Sequence, residues 1–106
     1  IDIFNKFKNK YLVYVIGDMN ELGNKSEKFH IDLIRYLMLI KAKKVVFVGA
    51  KLFSLRKRYN ILQFEYYENI DGVISNAEKI FNRNSKVFLK GSNSINLRKL
   101  SNHLIS

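Results

Sequence analysis

Side chains that could take part in chemistry gather in two glycine-containing stretches of this 106-residue chain. The first, Tyr11–Asn24, is an apolar segment that breaks at Gly17 and then carries Asp18 and Glu21. The second is Lys90-Gly91-Ser92, which follows another apolar segment. In open α/β sheets, ligands bind where strands end and such loops begin, so both stretches are candidate sites.

Each candidate side chain also has a structural interpretation. Asp18 and Glu21 could be a solvated turn acid and a helix-entry acid, and Lys90 could be a solvated lysine at a strand end. Lys90 could also meet a phosphate or Asp18. Ser92, Asn93 or Ser94 could cap the last helix, whose amino end favours an anion such as a carboxylate.

The two histidines are not expected to act in catalysis or metal binding. For His30 we favour a packing role that braces the loop over a proton-transfer role, which needs a reacting group within hydrogen-bond reach. His103 is expected at the surface, and two distant histidines without a third ligand do not make a metal site. We find no serine, cysteine or paired-carboxylate catalytic constellation.

The first loop is not a phosphate-binding P-loop. That motif requires four residues between its glycines and a lysine directly after the second. Here five residues separate Gly17 from Gly23, and Asn24 precedes Lys25. A loop that wraps a triphosphate with backbone N–H groups should also not carry two acids.

The same loop resembles the GDM-x-ELG-x-x-S-x-x-x-H signature of the UDP-N-acetylmuramoyl-tripeptide–D-alanyl-D-alanine ligases, the MurF branch of the Mur ligases. The similarity lies in their C-terminal domain. Two further segments match in order: Val45–Gly49, and Val87–Ser92 with its Lys-Gly-Ser. The family usually continues with Arg-Gly-Met where this chain has Asn93-Ser94-Ile95. The motif positions carried over are Gly17, Asp18, Met19, Glu21, Leu22, Gly23, His30, Lys90, Gly91 and Ser92.

The resemblance implies part of a cytoplasmic, ATP-dependent amide ligase of peptidoglycan synthesis. In that family ATP phosphorylates the carboxylate of the UDP-N-acetylmuramoyl-tripeptide, and the amine of D-alanyl-D-alanine then attacks. Mg²⁺ and the P-loop belong to a central domain, which, like the N-terminal domain, is missing from this chain. The C-terminal domain closes over the site, and we expect substrate contact at Asp18, Lys90, Gly91 and Ser92. We expect no activity from the chain alone.

The composition limits the other classes of function. The net charge of +10 raises nucleic acid as a partner, with basic clusters at Lys6–Lys10, Lys41–Lys44 and Lys51–Arg58. We expect these clusters in different parts of the fold, and hence no specific nucleic-acid site. The chain has no cysteine and no apolar run long enough to span a bilayer. It also has no initiator methionine, and this suggests a fragment.

Periodicity predicts helices alternating with strands, which implies a doubly wound, mainly parallel α/β sheet over residues 1–106 as one domain. The family's first strand and Asn-Ala-Asn-Pro motif are missing. Asn24 and Glu27 suggest a capping box, and glycines 17, 49 and 91 should end strands at one sheet edge.

The alternatives are a free-standing nucleotide- or anion-binding module and a basic nucleic-acid-binding domain. Helices are predicted over Asp2–Lys8, Lys25–Ile40, Ala50–Arg58, Asn69–Phe81 and a last segment with Leu97, Leu100 and Leu104 inward; strands over Tyr11–Ile16, Lys44–Val48, Ile61–Tyr66 and Lys86–Leu89.

Overall fold

The fold is built on a parallel sheet. A computed structural model describes residues 11–81, 85–92 and 95–105. Its strands lie in the order β3-β2-β1-β4, and every neighbouring pair is parallel. The predicted helix Asp2–Lys8, the cluster Lys6–Lys10 and the possible caps Asn93 and Ser94 lie outside the described residues. The strands are β1 (Tyr11–Gly17), β2 (Val45–Val48), β3 (Phe64–Tyr67) and β4 (Ser85–Lys90).

Helices cover both faces of this sheet, as the doubly wound prediction requires. The central strands β1 and β2 are buried on both faces, because successive side chains point to opposite sides. Tyr14 and Ile16 pack in one apolar cluster, and Val13 and Val15 pack in the other. The helices are α1 (Ser26–Leu39), α2 (Ala50–Phe53), α3 (Ile70–Ser75), α4 (Ala77–Ile80) and α5 (Leu97–Ile105), with a 3-10 helix at Asn20–Lys25.

The helix that follows the first loop is correctly predicted, and its buried face is predicted in part. The side chains that α1 buries are Ser26, His30, Ile34 and Leu37. Apolar spacing predicts an inward stripe of Phe29, Leu33, Ile34, Leu37, Met38 and Ile40. Ile34 and Leu37 are buried as predicted, whereas Phe29 and Leu33 are only half-buried and Met38 is 42% exposed. The helix starts one residue later than predicted, and the capping box is wrong: Lys25 occupies the N-cap position without a side-chain cap bond.

Three other predicted elements are changed by local backbone geometry. The helix expected over Asn69–Phe81 is divided at Asn76, whose side-chain amide donates to the Gly72 carbonyl at 2.9 Å. The helix expected over Ala50–Arg58 ends at Phe53 and continues as turns. Strand β3 begins at Phe64 rather than at Ile61, and it lies at one end of the described sheet, where its weaker alternation had suggested an edge.

The last helix is amphipathic, but its inward set is smaller than predicted. Leu100 is fully buried and Leu97 is half-buried, whereas Leu104 is 36% exposed. The helix begins at Leu97, five positions after Ser92. Ser92, one of the three candidate caps, therefore does not cap it.

Candidate functional site

The two motif loops leave the sheet at the same edge and touch each other. Strands β1 and β4 are hydrogen-bonded neighbours, with Ile16 paired to Lys90, so both chains emerge side by side. The backbone N–H of Ser92 then donates to the Asp18 carbonyl at 3.0 Å. The prediction that the strand-end glycines place these loops on one edge of the sheet is confirmed, and their contact follows from the strand order.

Asp18 is buried, with 3% of its surface exposed. Its Oδ2 accepts from the Lys51 N–H and its Oδ1 from the Leu52 N–H, each at 2.9 Å. The carboxylate thus satisfies two backbone donors in the first turn of α2, where a negative charge is favoured. A Cβ at Gly49, whose φ is +128°, would lie 2.3 Å from the Asp18 carboxylate carbon, so this position needs glycine. The expectation that Asp18 is a solvent-edge loop charge is wrong.

His30 braces the same loop through a hydrogen bond to its backbone. Its Nε2 accepts from the Met19 N–H at 3.0 Å, and the residue is 1% exposed. This contact is the geometry expected of a loop-bracing histidine. Burial is the main cause that lowers its pKa; the Asp18 charge opposes this effect and the Lys51 charge adds to it. The ring is therefore neutral at pH 7.

Ser92 links the two loops through its side chain. Its Oγ accepts from the Asn20 N–H at 2.5 Å and donates to Glu21 Oε2. This hydroxyl is the main reason that the pKa of the exposed Glu21 lies below its ordinary value. Glu21, for which turn and site roles were equally open, thus joins its own loop to the Lys-Gly-Ser turn.

The gap between the two loops is filled by protein. A Cβ at Gly91 would lie 2.9 Å from the Gly17 Cα, and a Cβ at Gly17 would lie 2.9 Å from Ile95 Cγ2. Gly91 permits a close backbone approach, as predicted, but it approaches Gly17. The ends of β1 and β4 are therefore held together by close contacts within the chain.

Lys90, Leu22 and Gly23 lie at the surface of this edge. The Lys90 side chain is exposed, and no ion pair joins it to Asp18 in the described part of the chain. Leu22 is 37% exposed, and Gly23 has a φ of +56° with nothing within 4 Å of the point where a Cβ would lie. The possibility that Lys90 meets Asp18 is thus excluded.

An open pocket of about 460 Å³ lies beside the loop, on the flank toward α2. Lys51 Nζ donates to Ser26 Oγ at 3.2 Å across it, and His30 also lines it. Sequence reasoning did not select Lys51 or Ser26 as site residues. Two signals were present: Ser26 and His30 are four apart on one helix, and Lys51 follows the strand-end Gly49 by two positions.

The described residues contain neither a metal-ligand group nor a membrane-spanning helix. No group of three or more histidine, cysteine, aspartate or glutamate side chains there is arranged to hold a metal ion. In the same residues, no helix is both long enough and apolar enough to cross a membrane.

Proteins similar to this chain include ligases known from sequence and from solved structures. No family model matches. The UDP-N-acetylmuramoyl-tripeptide–D-alanyl-D-alanine ligase of Rickettsia prowazekii is 28% identical over 89 residues, which are 81% of this chain and 19% of that enzyme. A MurF crystal structure from Acinetobacter baumannii matches with a TM-score of 0.67 and 26% identity, covering 87% of this chain and 21% of that one.

A second solved structure supports the fold alone. MurF ligase from Thermotoga maritima, determined in complex with ADP, matches with a TM-score of 0.65 and 15% identity, over 89% of this chain and 21% of that chain. The chain therefore spans about a fifth of the length of the relatives it matches. In sequence and in fold, this chain is similar to one domain of the MurF branch of the Mur ligases, with an extent consistent with their C-terminal domain.

Proposed function

We propose that residues 1–106 form the C-terminal domain of an ATP-dependent ligase that adds D-alanyl-D-alanine to UDP-N-acetylmuramoyl-tripeptide. The domain closes over the active site and orients the amine substrate and the nucleotide. One observation carries this proposal. The GDM-x-ELG loop and the Lys-Gly-Ser turn, on which the resemblance rests, are hydrogen-bonded to each other at the carboxyl edge of the sheet. One of these contacts joins Glu21 and Ser92, which are 71 positions apart in the sequence.

In this proposal the chain contributes positioning and water exclusion rather than bond-making groups. ATP supplies the phosphoryl group that activates the tripeptide carboxylate, and the central domain holds ATP and Mg²⁺. No metal-ligand cluster is present among the described residues, so we assign this chain no metal-binding step. The reaction takes place in the cytoplasm, where the peptidoglycan precursor is made.

The residues expected to meet substrate divide into two kinds. Lys90 has an exposed side chain at the end of β4, so it can contact a carboxylate or a phosphate directly. Asp18 and Ser92 are 3% and 4% exposed, and they act by holding the loop backbone in place. Gly91 keeps the Lys-Gly-Ser turn against Gly17.

The test is made in the intact ligase proposed to contain this chain. We expect Lys90→Ala to reduce D-alanyl-D-alanine-dependent phosphate release about tenfold or more, since one charge-assisted contact contributes roughly 1.5–3 kcal/mol. The melting temperature should hardly change, because the side chain is exposed. Lys79→Ala, at an exposed position on α4, is the charge-matched control and should retain full turnover.

Two results would refute the proposal. One is steady ATP turnover by the 106-residue chain alone, which we expect to be absent. The other is an intact protein whose ATP turnover does not require both the tripeptide substrate and D-alanyl-D-alanine. The second candidate, a free-standing anion-binding module, is favoured by the pocket beside Lys51, and it predicts anion binding without any ligase partner domains.

A further inference from the structure

The pocket beside the first loop is separate from the closed gap between β1 and β4. It is lined by the start of α1 and by α2 with the turn after it. These two elements follow β1 and β2, which are paired in parallel, so the pocket lies at the carboxyl edge of the sheet. The lining residues are Gly23, Asn24, Ser26, Glu27, His30, Lys51, Ser54 and Leu55.

Two of these side chains already form a linked pair of donors. Lys51 Nζ donates to Ser26 Oγ at 3.2 Å. Because that oxygen accepts from the ammonium group, its own hydrogen is available to a third group, and the ammonium group has two further hydrogens. The pair therefore offers hydrogen-bond donors and one positive charge.

His30 adds a donor that has no acceptor. Its Nε2 accepts from the Met19 N–H, so the neutral ring must carry its hydrogen on Nδ1. Nδ1 is buried, and it has no hydrogen-bond partner among the described residues. A buried donor without a partner is unfavourable, which makes an acceptor at this position stabilising.

The amino end of α1 adds to the positive character of the same place. Helix α1 has 14 residues, and no side chain caps its amino end. Its first amide, the Ser26 N–H, donates to the Gly23 carbonyl. The helix dipole adds a partial positive charge there.

Two acids face this region and limit the charge that it can hold. Glu27 lines the pocket from an exposed position on α1. Asp18 contacts the backbone of Lys51, which lines the pocket, but both carboxylate oxygens of Asp18 are occupied by the Lys51 and Leu52 N–H groups. Lys51 is the one cationic side chain among the lining residues, so a singly charged anion suits the site better than a doubly charged one.

We propose that Lys51, Ser26 and His30 form an oxyanion-binding site at the amino end of α1. The ligand presents a carboxylate or a phosphate oxygen to Lys51 Nζ, to Ser26 Oγ and to His30 Nδ1. The site does not depend on the proposed ligase function, because simple anions test it directly.

The first experiment titrates the 106-residue chain with acetate, D-alanyl-D-alanine, inorganic phosphate and ADP, followed by ¹⁵N NMR of Lys51 and His30. We expect saturable shifts at both residues with at least one anion. Because Lys51 is the one cation in the lining, the carboxylates should bind more strongly than inorganic phosphate or ADP. Lys51→Met should weaken binding about tenfold, the loss of one charge-assisted hydrogen bond. Lys57→Met, an exposed lysine in the turns after α2, should bind like the unchanged chain.

The second experiment reads the histidine tautomer. Nitrogen shifts at pH 7.5 should show His30 with hydrogen on Nδ1, and the bound anion should shift Nδ1 more than Nε2. His30→Gln keeps an acceptor for the Met19 N–H, but its amide nitrogen lies one bond farther along the side chain than Nδ1, so it should weaken binding while the chain stays folded. Hydrogen on Nε2, equal weakening by Lys57→Met, or no saturable binding of any of the four anions would overturn the site. None of these outcomes alters the ligase test with Lys90.

Discussion

Asp18 is a buried acid whose two oxygens serve the backbone of another element. It connects the loop after β1 to the first turn of α2, and its own carbonyl accepts from Ser92. One residue, through its side chain and its backbone carbonyl, therefore joins three segments that meet at the sheet edge. A change at Asp18 is expected to act on folding as well as on any function of the loop.

Asp18→Ala should lower the free energy of unfolding by about 2–5 kcal/mol, since each buried donor left without a partner costs roughly 1–3 kcal/mol. Asp18→Asn should cost less, because the amide oxygen still accepts one bond. Urea denaturation measures both. Asp32→Ala, at an exposed position on α1, is the control and should change stability by no more than about 0.5 kcal/mol. An Asp18→Ala variant as stable as the unchanged chain would contradict the anchoring role.

The protonation of His30 should make stability depend on pH. The lowered pKa means that the unfolded chain takes up a proton near the ordinary value of 6.5 while the folded chain resists it. Stability is therefore at its full value above that pH and falls as pH drops below it, by at most about 1.4 kcal/mol per pH unit for one proton. The urea midpoint measured from pH 7.5 to pH 5 reports this fall.

Two variants separate His30 from other groups. His30→Gln should flatten the dependence between pH 7.5 and pH 5, whereas His103→Gln, at an exposed position on α5, should keep it. Glu21 also has a lowered pKa, but its contribution is lost only below its ordinary value of 4.5, outside this range. A fall that survives His30→Gln unchanged would show that another group causes it.

At the scale of elements, α1 shows how the site and the core share one helix. Its buried stripe begins with Ser26 and His30 at the loop and continues with Ile34 and Leu37 against the sheet. The first half of the stripe is polar and supports the pocket, while the second half supplies apolar packing. This division explains why the inward face is rotated from the one that apolar spacing alone predicts.

Leu37→Ala should cost about 2–5 kcal/mol of stability, because it removes a buried side chain from a packed core. Phe29→Ala should cost less, since Phe29 is half-buried and contacts the edge of the His30 ring. Met38→Ala, at a position 42% exposed, is the control with a small expected effect. Chemical denaturation ranks the three; a larger loss for Phe29→Ala than for Leu37→Ala would contradict this view of the helix.

At the scale of the whole molecule, the positive charge of the described residues is spread over the fold rather than concentrated in one patch. Of the basic clusters, Lys41–Lys44 precedes β2 and Lys51–Arg58 follows it, so the two lie at opposite ends of that strand. Lys44 pairs with Glu65, and Arg56 lies 4.0 Å above the Phe53 ring. For these two clusters, the expectation of different places in the fold is confirmed.

This distribution predicts weak, non-selective binding to nucleic acid. Affinity for duplex DNA should fall steeply between about 50 and 200 mM salt, because phosphate contacts release counterions. Two duplexes of unrelated sequence should bind equally, since phosphate contacts carry no sequence information. Fluorescence anisotropy at several salt concentrations measures both properties. Tight binding that prefers one duplex at physiological salt would contradict the prediction.

The sequence by itself determined the class of fold, the order of strands and helices along the chain, and the two loops of interest. These features are local: an apolar run of β-branched and aromatic residues, a strand-ending glycine, and a helical period can each be seen in a few neighbouring residues. The resemblance to the MurF branch rests on the same short motifs. The ends of helices were predicted less accurately. At Asn76, for example, the side-chain amide donates to the Gly72 carbonyl and the predicted helix is divided.

Only the tertiary structure decided which atoms meet at the sheet edge. Asp18 meets the Leu52 N–H across 34 positions of sequence, and Ser92 meets Glu21 across 71. Strand order brings these residues together, and local sequence patterns do not encode it. For the same reason, Asp18, which could have been a solvated turn acid, is buried, and Lys51, which no motif marks, lines the pocket with Ser26 and His30.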